Sequence, residues 1–97
     1  MKNYKTIEEE FKMQKFTYQI TDELGIHARP AGLLVKIASD FEANIKVRKG
    51  NKEADAKRLF ALMSLAVKKG DEIELVAEGA DEAKAILAIE HFLKTHL

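Results

Sequence analysis

The 97-residue chain has no cysteine, one proline, and no excess of either charge, with 16 basic and 16 acidic side chains. Without cysteine there is neither a disulfide framework nor a thiolate metal site, which fits a reducing compartment. A zero balance argues against nucleic acid as the main partner, because binding a phosphate backbone needs a basic excess. The chain has no apolar run of about 18 residues, so nothing in it is expected to span or insert into a membrane. Its start, Met1-Lys2-Asn3-Tyr4-Lys5-Thr6-Ile7-Glu8-Glu9-Glu10, lacks the apolar centre of a signal peptide, and a cytoplasmic location is the default expectation. No low-complexity tract, internal repeat or interior linker divides it.

What is present suits one small domain. The apolar fraction is 46% and the charged fraction 33%, ordinary values for a soluble globular chain. A chain this short buries only about 60–65% of its unfolded surface, so chemistry is expected at the surface and not in a deep enclosed site.

Residues 1–14 are charged and weakly patterned; Ile7 and Phe11 would share a helix face. They read as an extension, either a frayed terminus or a docking segment, ahead of a domain over 15–97. Phe16, Tyr18 and Ile20 alternate with Thr17 and Gln19, a half-buried strand over 15–20. A helix is expected over 28–41, with Ala31, Leu34, Val35 and Ala38 as its core stripe, widened by Leu33, Ile37 and Phe41. Strands follow at 43–48 and, more weakly, 52–56, with Lys49-Gly50-Asn51 turning the chain between them. A short helix over 58–66 would bury Leu62, Leu65 and Ala66, and Lys68-Lys69-Gly70 would stop it. Residues 72–78 form the clearest strand, with Ile73, Leu75 and Ala77 pointing inward. Asp81 and Glu82 open a last helix with Ala83, Ile86, Leu87, Ile89 and Leu93 on its apolar face. This order predicts an α+β domain: a four-stranded, largely antiparallel sheet covered by helices on one face.

The chemistry centres on Leu24-Gly25-Ile26-His27-Ala28-Arg29-Pro30-Ala31-Gly32. Pro30 in a first helical turn sacrifices no internal hydrogen bond, although a residue before proline prefers extended backbone, so Arg29 resists a helix starting at Ala28. The amides of a first helical turn lack partners within the helix and carry partial positive charge. A histidine at that point with Arg29 beside it could receive and hold a phosphoryl group. Imidazole suits the task, because an ordinary pKa of about 6.5 leaves much of it neutral and nucleophilic near pH 7. Arg29 would offer charge-assisted hydrogen bonds to phosphoryl oxygens, and the amides of Ala28 and Arg29 would add to them. Taken alone, a histidine at a helix start is most often a cap or a surface residue.

Further blocks match one family at consistent spacing: Gly25-Ile26-His27-Ala28-Arg29-Pro30-Ala31, then Leu62-Met63-Ser64-Leu65, Lys69-Gly70-Asp71-Glu72-Ile73 and Gly79-Ala80-Asp81-Glu82-Ala83. Over about residues 14–95 the chain resembles the histidine-containing phosphocarrier HPr family of the phosphoenolpyruvate-dependent sugar phosphotransferase system. The resemblance implies an open-faced sandwich with strand order 1-4-2-3 and three helices on one face. It implies phosphorylation of His27 at Nδ1, enzyme I as phosphoryl donor, enzyme IIA proteins as acceptors, and no metal or organic cofactor. A monomer that carries phosphate without being a stand-alone turnover enzyme is the expectation. It further implies a docking patch from the short helix, Leu59, Phe60 and Met63, where the bland alternative is simply core. Gly32, Lys36 and Lys57 would form its rim, with cations suited to acidic partners.

Arg58 departs from the family pattern. Many Gram-positive-type relatives carry there a serine that a kinase phosphorylates for regulation, and arginine cannot accept that phosphate. Arg58 reads either as a surface side chain or as a contact to an acidic partner, and Ser64 as structural. His91 and His96 read as solvated or dipole-favoured residues of the last helix. Two other functional classes stay open: a regulatory interaction module switched by His27 phosphorylation, and a binding domain without phosphoryl chemistry.

Overall fold

The computed structural model describes residues 13–97. Residues 1–12, most of the expected extension, lie outside the described residues. The elements are β1 (Gln14–Gln19), α1 (Ala28–Ser39), β2 (Asn44–Lys49), β3 (Lys52–Asp55), α2 (Leu59–Ser64), β4 (Glu72–Glu78) and α3 (Glu82–His96).

The four strands form one antiparallel sheet in the order β1-β4-β2-β3. The central strand β4 pairs Leu75 with Phe16 on one side and with Val47 on the other. Period-two alternation therefore puts Phe16, Tyr18, Ile45, Val47, Ala54, Ile73, Leu75 and Ala77 on one face. The helices cover that face, and Leu34, Leu62, Ile89 and Leu93 are fully buried in the shared core. The other face is largely polar: Arg48 bridges Glu53 of β3 and Glu74 of β4, and Lys46 pairs with Glu53. These two cations hold the Glu53 carboxyl below the usual carboxylate range, with the Lys46 hydrogen bond as the larger cause.

Several sequence expectations need correction. The first helix ends at Ser39 and not at residue 41; Phe41 follows it, half-buried. Val35 is half-buried at the margin of the core. The second helix stops at Ser64, so Ala66 is exposed and in the left-handed region, φ +54°. Lys49 explains the early stop: its ammonium donates to the carbonyls of Leu65 (3.3 Å) and Ala66 (2.8 Å), satisfying groups that another helical turn would have used.

The last helix is rotated from the expected frame. Ala83 is exposed and Leu87 is 66% exposed, while Ala85, Ile86, Ile89, Phe92 and Leu93 form the buried stripe. Glu82 sets this rotation. It is only 2% exposed, its Oε1 accepts the Gly79 amide at 2.9 Å, and its own amide donates to Gly79 O. That reciprocal pair closes the turn just ahead of the Asp81 N-cap and fixes the orientation of the first helical turn. Asp81 fastens the same end by accepting the amides of Glu42 and Ala43, each at 2.8 Å.

Candidate functional site

The His27 stretch is shaped by what precedes it. Asp22 Oδ1 accepts the Leu24 amide at 2.8 Å and Asp22 O accepts the Gly25 amide at 3.1 Å, closing a turn. Gly25 has φ +65°, and Ile26 then buries its side chain while its amide donates to Val67 O at 3.1 Å. The loop that supplies Val67 is braced from beneath. Asp71 accepts the Lys68 amide at 2.8 Å and pairs with Lys49 at 3.1 Å. The Lys68 amide first, and then the Lys49 ammonium, hold the Asp71 carboxyl below its ordinary range.

His27 is the N-cap of α1, in extended backbone at φ −104° and ψ −175°. Its carbonyl accepts the Ala31 amide at 2.9 Å, but its side chain makes no capping hydrogen bond, so the ring is not occupied in holding the helix. The ring is half-buried and Arg29 is exposed. α1 starts at Ala28, so Arg29 adopts helical backbone despite the proline that follows. Pro30 is buried and has no N–H, and Ala31 is already bonded. The first-turn amides left without an intrahelical partner are therefore those of Ala28 and Arg29. No acidic residue lies in that turn to compete for them.

His27, Arg29, Pro30 and Leu33 line a shallow depression of about 390 Å³, closed by Asp22 and by His96 of α3. Neither Asp22 nor His96 stands out as a site residue in the sequence. His96 lies 69 positions beyond His27 and reaches the depression only through the packing of α3. The fit is to an anion at the surface: unpaired amides, a guanidinium and an imidazole open to an incoming group. No group of three or more histidine or carboxylate side chains is placed to hold a metal among the described residues.

The expected docking residues sit on two elements. Gly32 and Lys36 are exposed, one turn apart on α1. On α2, Phe60 is 83% exposed and Met63 is exposed, whereas Leu59 is half-buried against the core. Phe60 borders a separate hollow with Lys57, Arg58 and Asp55, so the histidine depression and the aromatic patch are distinct features of the surface. The Lys57 ammonium is engaged: it donates to Phe41 O at 2.7 Å and ties the β3–α2 connection to the end of α1. Arg58 is the exposed N-cap of α2 and makes no side-chain cap hydrogen bond. Ser64 donates to Ala61 O at 2.8 Å, a local helix contact.

Comparison with known proteins places this architecture. The PTS-HPr family profile, described as the PTS HPr component phosphorylation site, matches residues 14–95. Phosphocarrier protein HPr of Mycoplasma capricolum subsp. capricolum is 44% identical over 78 residues, covering 80% of this chain and 88% of that protein. The crystal structure of HPr-C-His from Thermoanaerobacter tengcongensis superposes with a TM-score of 0.81 at 41% identity, covering 84% and 92% of the two chains. Crh, the catabolite repression protein of Bacillus subtilis, superposes with a TM-score of 0.70 at 34% identity over 82% and 92%, and was solved as a domain-swapped dimer. The chain belongs to the HPr family of phosphocarriers of the phosphotransferase system. The strand order and the three helices expected from the resemblance agree with that fold.

Proposed function

We propose that the protein carries a phosphoryl group on Nδ1 of His27, taking it from phospho-enzyme I and passing it to enzyme IIA proteins. The observation that carries this reading is the N-cap position of His27 with its ring unspent on capping, next to two unpartnered amides and Arg29. In the forward step a lone pair of the neutral imidazole attacks phosphorus in line. The N–P bond to His27 forms as the bond to the donor breaks. The Ala28 and Arg29 amides and the Arg29 guanidinium take the charge spread over the equatorial oxygens. The reverse geometry serves onward transfer, and a shallow site admits both partners in turn.

Partner docking falls to the exposed residues around it: Gly32 and Lys36 on α1, and Phe60 and Met63 with the edge of Leu59 on α2. Apolar area held out of the core by a rigid helix is characteristic of an interface. Residues 15–97 are the working domain and act as a monomer. The relay is tested by following labelled phosphate from phosphoenolpyruvate through enzyme I and this protein to an enzyme IIA. Label should reach the acceptor only when this protein is present. A chain that gains label yet passes none to any IIA would support the regulatory-module reading instead.

A further inference from the structure

His96 is the last residue of α3, and its ring lies against Phe92, with centroids 4.8 Å apart and planes 34° apart. Phe92 is buried, so the stack fixes His96 from one side. The helix end is itself tied to the loop leading to the site. Leu97 O accepts the Thr21 amide at 2.7 Å, the Asp22 amide at 3.0 Å and the Thr21 hydroxyl at 2.9 Å. This lock brings His96 to the rim of the depression that His27 and Arg29 line. The remaining charged group there is Asp22, whose Oδ1 is engaged by the Leu24 amide.

We infer that His96 is a third side chain of the phosphoryl site, donating a ring N–H to the phosphoryl group once it is on His27. The inference rests on the carrier reading above. Bond making and breaking stay between the donor and His27; no bond to phosphorus forms at His96. Its donor would add to that of Arg29, which lines the same depression from α1, whereas His96 comes from the end of α3.

The test uses the full chain with 15N-labelled histidine, phosphorylated by phosphoenolpyruvate and enzyme I. The ring nitrogens of His96 should move when His27 is phosphorylated, while those of exposed His91 on the same helix stay. Phosphoryl occupancy at equilibrium with phospho-enzyme I should fall about 3- to 10-fold in His96→Ala, the worth of one hydrogen bond. His96→Gln should recover part of it, since the amide keeps an N–H donor, and His91→Ala should change nothing. Unmoved His96 resonances with wild-type occupancy in His96→Ala overturn the inference and leave His27 phosphorylation standing. A wild-type chain that takes up no phosphate overturns the carrier reading and this inference with it.

Discussion

Gly25 lies directly against the backbone of Val67: a β-carbon on residue 25 would come within 2.2 Å of the Val67 carbonyl oxygen. That same oxygen accepts the Ile26 amide, so the contact and the hydrogen bond together place the residue before His27. Gly25→Ala combines this clash with a left-handed backbone, φ +65°, and should destabilise the fold by roughly 2–4 kcal/mol. Phosphate uptake by the folded fraction should slow as well. Urea unfolding alongside a rate assay checks both, and wild-type behaviour in each would contradict this placement of the loop.

Phe60 and Leu62 are two residues apart and should respond oppositely to truncation. Leu62 is fully buried, and Leu62→Ala should destabilise by about 2–5 kcal/mol. Phe60 is 83% exposed, and Phe60→Ala should stay within about 0.5 kcal/mol of the wild type. Phe60→Ala should nevertheless raise the KM for this protein in assays with enzyme I or IIA. A Phe60 variant with unchanged KM would remove α2 from the docking face.

Arg29 should separate charge from fork geometry. Arg29→Ala should lower the phosphoryl-transfer rate by about 10²-fold, the order seen when one preorganised donor is removed from a transition state. Arg29→Lys should fall between, because a lysine keeps the charge without the paired donors. Since Arg29 is exposed, thermal midpoints should hardly move.

Asp81 gives the fold an acid-sensitive fastening. The Glu42 amide is the largest influence and holds its carboxyl below the ordinary value of 3.8; burial opposes it, and the Ala43 amide adds to the lowering. A carboxyl depressed in the folded state contributes its full stabilisation above the unfolded value and loses it as pH falls through the folded one. Asp81→Ala should therefore lower the thermal midpoint at pH 7, and the gap to wild type should narrow below about pH 4. A gap that stays constant from pH 7 to pH 2 would show that the carboxylate is not the fastening.

Much of this architecture is legible in local pattern. The alternation of Ile73, Leu75 and Ala77 identifies β4, and the His27–Pro30 run marks a helix start, because period and proline chemistry act over a few residues. The misplaced details are those decided across the chain. Ala66 looked like helix until Lys49 took the terminal carbonyls from another strand. Leu87 looked buried because the rotation of α3 depends on a buried Glu82 that a polarity pattern assigns to solvent. Lys57, read as a rim cation, also donates to Phe41 O, a contact across the chain that no local pattern shows. His96 is exposed in the last turn of α3, as its position suggests; that it lines the same depression as His27 depends on the docking of α3 onto the Thr21–Asp22 turn, which no local pattern carries.

The most direct measurement is the intact mass of the chain after incubation with phosphoenolpyruvate and enzyme I, kept at alkaline pH, with fragment mapping of the modified residue. The account predicts a gain of one phosphate, stable to base and labile to acid, located on His27 and absent from His27→Ala. A phosphate that persists in His27→Ala, or maps elsewhere, would contradict it.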